Sequence, residues 1–348
     1  MKRIAFVIAI VILVALTQMS TSKAQSTVQD HPADTGAEKF SSEPISIEAP
    51  SGTLYGTLTL PQSRKSTPVV LIISGSGPTD RDGNSPLLKG PNNSLKMLSE
   101  SLAAHGIASV RYDKRGIGET GKAMFAAAQK AKIQLREEDL RFEAYINDAL
   151  SWARQLRADR RFSSLIVVGH SEGSLIGMVT AQRAEANGFV SIAGAGRSLQ
   201  ELILEQVKSQ LTPELMKTTE HILEQLAAGK TVQTVPNELH MLLRPSVQQF
   251  LISWMRYDPG KEISKLRMPV LIIQGTTDLQ TRIADAKRLA DGNPSAKLLM
   301  IDGMNHVLKM VPNEPAQQAA SYSDPTLPVA TDLVKAVTGF VNENRESK

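Results

Sequence analysis

The pentapeptide Gly169-His170-Ser171-Glu172-Gly173 stands where an apolar run, residues 165–168, gives way to a helical pattern. At a strand-to-helix junction a tight turn leaves no room for side chains beside its central residue, so both flanks are glycine. Such a turn exposes the Ser171 hydroxyl at the edge of a sheet. The helix start beneath it offers a free backbone N–H and the positive end of a dipole. The pentapeptide alone is common by chance; its position is what carries information. A serine hydroxyl is inert at neutral pH unless a base takes its proton. Residues 270–273 run into Gln274-Gly275-Thr276-Thr277-Asp278, and residues 297–301 run into Asp302-Gly303-Met304-Asn305-His306. Asp278 and His306 are thus each expected just past the carboxyl end of a strand, on the same rim as Ser171 and in the chain order Ser, Asp, His. The chemistry expected is acyl transfer: His306 takes the Ser171 proton, Asp278 holds the imidazole tautomer, and water releases the acyl group.

The elements that must position these residues are legible from periodicity. Residues 45–48 and 54–60 alternate like a hairpin with Ser51-Gly52 at its turn. Pro68 opens the continuous apolar run 69–73, the pattern of a strand buried on both faces. Further strands are expected at 107–112, 165–168, 189–193, 270–273 and 297–301. Leu95, Leu98 and Leu102 mark a helix, as do Phe142, Ile146, Ala149, Trp152 and Leu156, and a closing helix carries Leu333, Val334, Val337 and Val341. Strand–helix alternation of this length predicts an α/β fold with a mostly parallel sheet of about eight strands, flanked by helices. Residues 197–266 show helical patterns only and read as a cap inserted between two strands. The core is then expected in two parts, 44–196 and 267–348.

The bulk numbers narrow the function classes. The chain has 348 residues, 41% hydrophobic and 21% charged, an ordinary globular composition. Lys2 and Arg3 precede an apolar run from 4 to 16, and Ser22-Lys23-Ala24 offers small residues for cleavage, so 1–24 reads as a signal peptide. The run is short of the ~20 residues that span a bilayer. An exported, periplasmic or secreted protein without a stable membrane anchor is expected. Residues 25–43 read as a disordered leader. Loss of Lys2, Arg3 and Lys23 lowers the net charge from +4 to +1, which gives no reason to expect nucleic acid. No Cys is present, so a covalent nucleophile must be oxygen or nitrogen, and six scattered His show no metal-ligand spacing. No metal or cofactor is expected.

On Gly169–Gly173, Asp278 and His306 together with two loops, the chain resembles the α/β-hydrolases, in the esterase, acyltransferase and serine-aminopeptidase-like branch, from about residue 44 to 345. Ser74-Gly75-Ser76-Gly77-Pro78 stands where that family carries a His-Gly motif, and Asp113-Lys114-Arg115-Gly116-Ile117-Gly118 matches its D-x-R-G-x-G loop. The resemblance implies an oxyanion hole made by the backbone N–H groups of Glu172 and Ser76. Because Ser74 replaces the family's His, Gly75 and Gly77 stay open as the second donor. It implies a small-molecule ester substrate, with peptide or amide hydrolysis as the alternative.

Other residues have a bland reading beside a functional one. Asp80, Arg81 and Asp82 form either a polar wall for substrate or an internally paired turn. Asp113 and Arg115 are expected to brace their loop by ion pairs, and His170 to pack inward. The Glu172 carboxylate either favours the helix dipole or, with Asp80 or Asp82, makes an acidic wall suited to a cationic substrate. Met216, Met241 and Met255 line an apolar pocket or pack the cap.

Overall fold

A computed structural model describes residues 40–49, 52–63 and 65–345. The expected signal segment, most of the leader and the turn residues 50 and 51 lie outside the described residues. Eight strands form one sheet: β1 (Phe40–Ala49), β2 (Gly52–Pro61), β3 (Thr67–Ile73), β4 (Ala108–Tyr112), β5 (Phe162–His170), β6 (Gly188–Ile192), β7 (Val270–Gly275) and β8 (Lys297–Ile301). Their order is β1-β2-β4-β3-β5-β6-β7-β8. β2 pairs antiparallel with β1 and with β4, and every other pairing is parallel. The expected eight-stranded, mostly parallel sheet is present. The leader boundary needs correction, because residues 40–43 belong to β1, where Phe40 pairs with Pro61 and Ser42 with Thr59. Ser41, Ser42 and Glu43 lack apolar period, so composition hides them; the ladder hydrogen bonds use the backbone alone.

The central strands explain the sheet's depth. Val69, Leu71 and Ile73 of β3 enter one buried cluster, and Val70 and Ile72 enter the other. A strand's side chains alternate between faces, so a continuous apolar run is covered on both sides. Helices α1 (Ser94–Ala104), α2 (Gly118–Ala131), α3 (Phe142–Ala158) and α4 (Glu172–Arg183) fall between the first six strands. Between β6 and β7 lie α5 (Leu199–Val207), α6 (Pro213–Ala227), α7 (His240–Leu243), α8 (Pro245–Met255) and α9 (Pro259–Ser264). The sheet is completed by α10 (Ile283–Gly292), α11 (Pro315–Ser321) and α12 (Thr331–Glu343). No helix among the described residues is long and apolar enough to cross a membrane.

The helical segment between β6 and β7 starts cleanly at local signals. Ser198 and Glu201 cap α5 reciprocally, and Thr212 caps α6 with Pro213 in its first turn. Aromatic packing then fastens the segment to α3. The Phe142 ring stacks on Trp254 at 5.1 Å and 5°, and meets Phe250 at 6.0 Å and Tyr257 at 5.5 Å. The Phe142 N–H donates to Ser253 Oγ at 2.8 Å. Arg244 and Ser246 both grip Glu137, in the connection between α2 and α3. Met216 and Met255 pack against the core while Met241 is exposed, so these methionines form no common pocket.

Phe142 is fully buried, so Phe142→Ala should cost about 3–5 kcal/mol in a denaturant titration, through lost transfer energy and the cavity left behind. Limited proteolysis should then cut residues 199–264 before the sheet. A loss under ~1 kcal/mol would mean the ring cluster does not hold the segment.

Candidate active site

Three chain segments meet at Ser171: the end of β3, the end of β5 and the start of α4. Ser171 has φ 56° and ψ −122°, a backbone conformation that costs a non-glycine residue on the order of 1–3 kcal/mol. The surroundings hold it there. The Ser171 N–H donates to Ile192 O at 3.0 Å and Ser171 O accepts from the Ser174 N–H at 2.9 Å. A Cβ at Gly169 would strike the carbonyl of Gly173, and one at Gly173 would strike those of Ile73 and Ser74. Both glycines flanking the serine are therefore sterically required, as the pentapeptide suggested.

Asp278 and His306 lie on the same rim. His306 Nδ1 donates to Asp278 Oδ2 at 2.8 Å. That carboxylate also accepts from the backbone N–H groups of Gln280 at 2.8 Å and Thr281 at 3.0 Å, and from Thr281 Oγ1 at 2.9 Å. Burial pushes the Asp278 carboxyl up, but the His306 ring and these hydrogen bonds outweigh it and hold it below the usual carboxylate range. With Nδ1 engaged, Nε2 is the His306 nitrogen left to handle a proton. Ser171 and His306 line one small cleft with Gly75, Ser76, Gln280 and Tyr322. Among the described residues no hydrogen bond joins the Ser171 hydroxyl to the His306 ring. Such contacts commonly tighten only when substrate is bound.

His170 packs inward as expected, and its place is specific. Its Nε2–H donates to the His306 carbonyl at 2.8 Å, and the two rings lie 4.9 Å apart. Burial foremost, and then the neighbouring His306 ring, push the His170 imidazole down to about 3. It is a neutral strut under the loop that carries His306.

The segment after β3 runs against the serine. A Cβ at Gly75 would lie 3.1 Å from Ser171 Cβ. Ser76 lines both clefts that include Ser171. Its N–H has no acceptor among the described residues, and the N–H of Glu172, at the first position of α4, has none within its helix. Gly77 faces a different small cavity, beside Lys114 and Tyr145. Two unpaired N–H groups near a serine hydroxyl can stabilise a developing oxyanion.

The charged residues expected around substrate are arranged otherwise. The Glu172 carboxylate is buried and meets Lys114 Nζ at 3.2 Å, with both side chains under 5% exposed (3% and 4%). It presents no open acidic wall. Asp80, Arg81 and Asp82 line neither cleft. Arg81 pairs with Asp113 at 2.7 Å and with Glu119, Asp82 pairs with Arg111, and Asp80 Oδ1 accepts from the N–H groups of Asp82 and Asn84, both at 2.9 Å. The reason is that Arg111 and Asp113 are buried, and a buried charge demands a partner. Arg115 braces its loop as expected, through a bidentate pair with Asp148 at 2.6 and 2.7 Å.

Several lining residues escaped sequence reasoning. The second cleft beside Ser171 is walled by Leu199 and Leu202 of α5, by Trp254 of α8 and by Gln280. Each of these two clefts holds about 30 Å³. A larger cavity of about 220 Å³, bounded by Met124, Phe125, Leu135 and Leu140, contains none of the residues above. Lys114 had a usable signal: a lysine directly beyond a buried strand, on the rim that carries the serine. Gln280 and Tyr322 had none, since only folding brings residue 322 to the Ser171 cleft.

Comparison with known proteins follows the same geometry. The family model described as serine aminopeptidase, S33, matches residues 93–315. Esterase EstD of Thermotoga maritima is 27% identical over 289 residues, covering 82% of this chain; the chain spans 64% of that relative's length. Est1E of Butyrivibrio proteoclasticus, solved with ferulic acid bound, aligns over 86% of this chain and 98% of its own at a TM-score of 0.55 and 16% identity. A puromycin-hydrolyzing peptidase of Mycobacterium tuberculosis aligns over 88% of this chain and 40% of its own at a TM-score of 0.53 and 16% identity. Those two structural likenesses establish the shared fold.

The buried His170 gives a pH prediction. Its ordinary value is 6.5 and its folded value about 3, so the unfolded chain binds a proton that the folded chain refuses across that window. Stability is complete above 6.5 and falls as pH drops towards 3, by up to about 1.4 kcal/mol per pH unit from this group. His170→Gln keeps an N–H for the His306 carbonyl without titrating. Denaturant titrations at pH 7, 5 and 4 should show a shallower decline for the variant. Equal slopes would mean that folded His170 takes a proton freely.

Proposed function

The chain belongs to the serine aminopeptidase S33 family of the α/β-hydrolases, and from that premise we propose that it is an exported serine hydrolase cleaving small carboxylic esters through an acyl-enzyme. Ser171 is the nucleophile, His306 the base and later the acid, and Asp278 the group that fixes the imidazole. The observation that carries this reading is the 2.8 Å bond from His306 to a carboxylate that the His306 ring foremost, and then the backbone N–H groups of Gln280 and Thr281, hold low against burial, on the rim shared with strained Ser171.

The geometry supports the following steps. An ester carbonyl enters between Ser171 and the segment 75–76. His306 Nε2 takes the hydroxyl proton as Ser171 Oγ attacks the carbonyl carbon. Asp278 stabilises the imidazolium without accepting its proton. The N–H groups of Ser76 and Glu172 meet the oxyanion, in general the largest electrostatic contribution in such reactions. His306 then protonates the departing alkoxide, and a water activated by the same nitrogen releases the acid.

Esters are favoured over aminoacyl substrates by the burial of Glu172 against Lys114, which leaves no free anion at Ser171 among the described residues to grip an amino terminus. The name of EstD supports the same side, and amide hydrolysis, suggested by the family's description, is the second reading. Leu199, Leu202 and Trp254 make one cleft apolar, and its small volume fits a short acyl chain. Export rests on the pattern of residues 1–24.

Fluorophosphonate labelling of the wild type, absent from a folded Ser171→Ala variant, is the direct test. Asp278→Asn should lower turnover by several powers of ten, since the precedent in another serine hydrolase is about 10⁴. Across p-nitrophenyl esters, acetate and butyrate should be turned over faster than decanoate, and aminoacyl p-nitroanilides scarcely at all. Faster cleavage of the anilides would move the assignment to peptidase, and labelling that survives Ser171→Ala would end it.

A further inference from the structure

Lys114 is a buried lysine that touches both segments flanking the reactive serine. Its Nζ donates to the carbonyl of Gly75 and to Glu172 Oε1, the latter at 3.2 Å. It also sits over the Tyr145 ring, 5.5 Å from the centroid, which favours a cation there. Gly75 immediately precedes Ser76, and Glu172 immediately follows Ser171. The two backbone N–H groups assigned above to the oxyanion belong to Ser76 and Glu172. One ammonium therefore ties together the two segments that supply the two donors.

We infer that Lys114 is a positioning residue that sets the separation and aim of the Ser76 and Glu172 N–H groups and so governs stabilisation of the tetrahedral intermediate. This rests on the reading of Ser171 as nucleophile. The need for such a tie is visible in the chain. The Gly75-Ser76-Gly77 loop carries two glycines, which resist no backbone rotation, and Ser74 stands where a histidine could have anchored the loop. The Ser76 side of the loop is held by the Thr79 hydroxyl, which donates to Ser76 O at 2.7 Å. That bond acts within the loop. The Lys114 bond acts between the loop and α4. A donor displaced by a fraction of an ångström loses much of its effect on a developing oxyanion, because the hydrogen bond must be short and aligned at the moment charge appears. Neither Nζ nor the Glu172 carboxylate needs to touch substrate for this.

A bare stability role predicts different behaviour and can be separated. Removing one partner of a buried ion pair leaves an uncompensated charge, whereas replacing both by apolar residues commonly restores stability. Lys114→Met and the double variant Lys114→Met/Glu172→Leu are therefore compared with wild type, using p-nitrophenyl butyrate and a trifluoromethyl ketone that forms a tetrahedral adduct at serine. In both variants kcat should fall about 10²–10³-fold, the loss typical of one oxyanion donor, with KM within about threefold of wild type. The inhibition constant of the ketone should rise by a comparable factor. A folded double variant with wild-type kcat and ketone affinity would overturn the inference, and it stands in for Lys114→Met if that protein does not fold. Failure of the underlying assignment is seen elsewhere, in a wild type that hydrolyses no ester and takes no fluorophosphonate label at Ser171.

Discussion

Everything at this site depends on a steric constraint: three backbone segments cross where there is no room for a Cβ at Gly169 or Gly173. Because they cross so closely, Ser171 is forced to a positive φ, and its hydroxyl is carried out of the sheet instead of packing into it. Local preference alone would not maintain that conformation. It persists because β5 lies in the middle of the sheet between β3 and β6, and both neighbours contribute side chains to the buried clusters on both faces. The hydrophobic effect that buries those side chains supplies far more than the backbone strain costs. Core strength is thus converted into the placement of one polar group against a cleft.

A second kind of order surrounds this elbow. The carboxyl end of β4 delivers four charges in five residues, and each pairs with a residue of another segment. Arg111 takes Asp82, Asp113 takes Arg81, Lys114 takes Glu172 and Arg115 takes Asp148. Two of the partners belong to the loop after β3, one to α3 and one to α4. Exposed pairs of this kind would contribute little, but here one or both members are buried, so losing either partner leaves a desolvated charge. The strand end therefore works as an electrostatic hub that registers the loops around the serine. Apolar packing holds the sheet together, and these directional contacts decide where its loops sit.

That division explains what could be read from the sequence. Ser171, Asp278 and His306 were legible because each follows an apolar run that is a strand by its own pattern. Parallel topology carries all three strand ends to one edge. The strands themselves, and the helical segment between β6 and β7, were legible for the same reason. Residues 40–43 were not, since their pairing uses backbone groups that composition does not display. The pairings of Glu172 and of Asp80, Arg81 and Asp82 were not, because local spacing says that a charge is present and not which distant charge it meets. Asp82 and Arg111 are separated by the whole of α1, and Lys114 and Glu172 by the whole of α3.

The wall of the second cleft shows how the shape of that cleft can change without disturbing the elbow at Ser171. Leu199, Leu202 and Trp254 come from helices between β6 and β7, and the sheet's hydrogen bonds do not constrain them. Their placement depends on the ring cluster around Phe142 and on the grip of Arg244 and Ser246 upon Glu137. Phe142 opens α3, several of whose residues pack the sheet core, and α5 is tied as well to α10 and the residue before it through Glu201–Arg288 and Glu205–Arg282. A substitution at Leu202 alters the cleft while leaving those contacts intact. A substitution at Phe142 instead removes the ring against which Trp254 of the wall is stacked. The shape of the cleft and the arrangement around Ser171 are therefore separable through Leu202 of α5, and are coupled through the packing of α3 on α8.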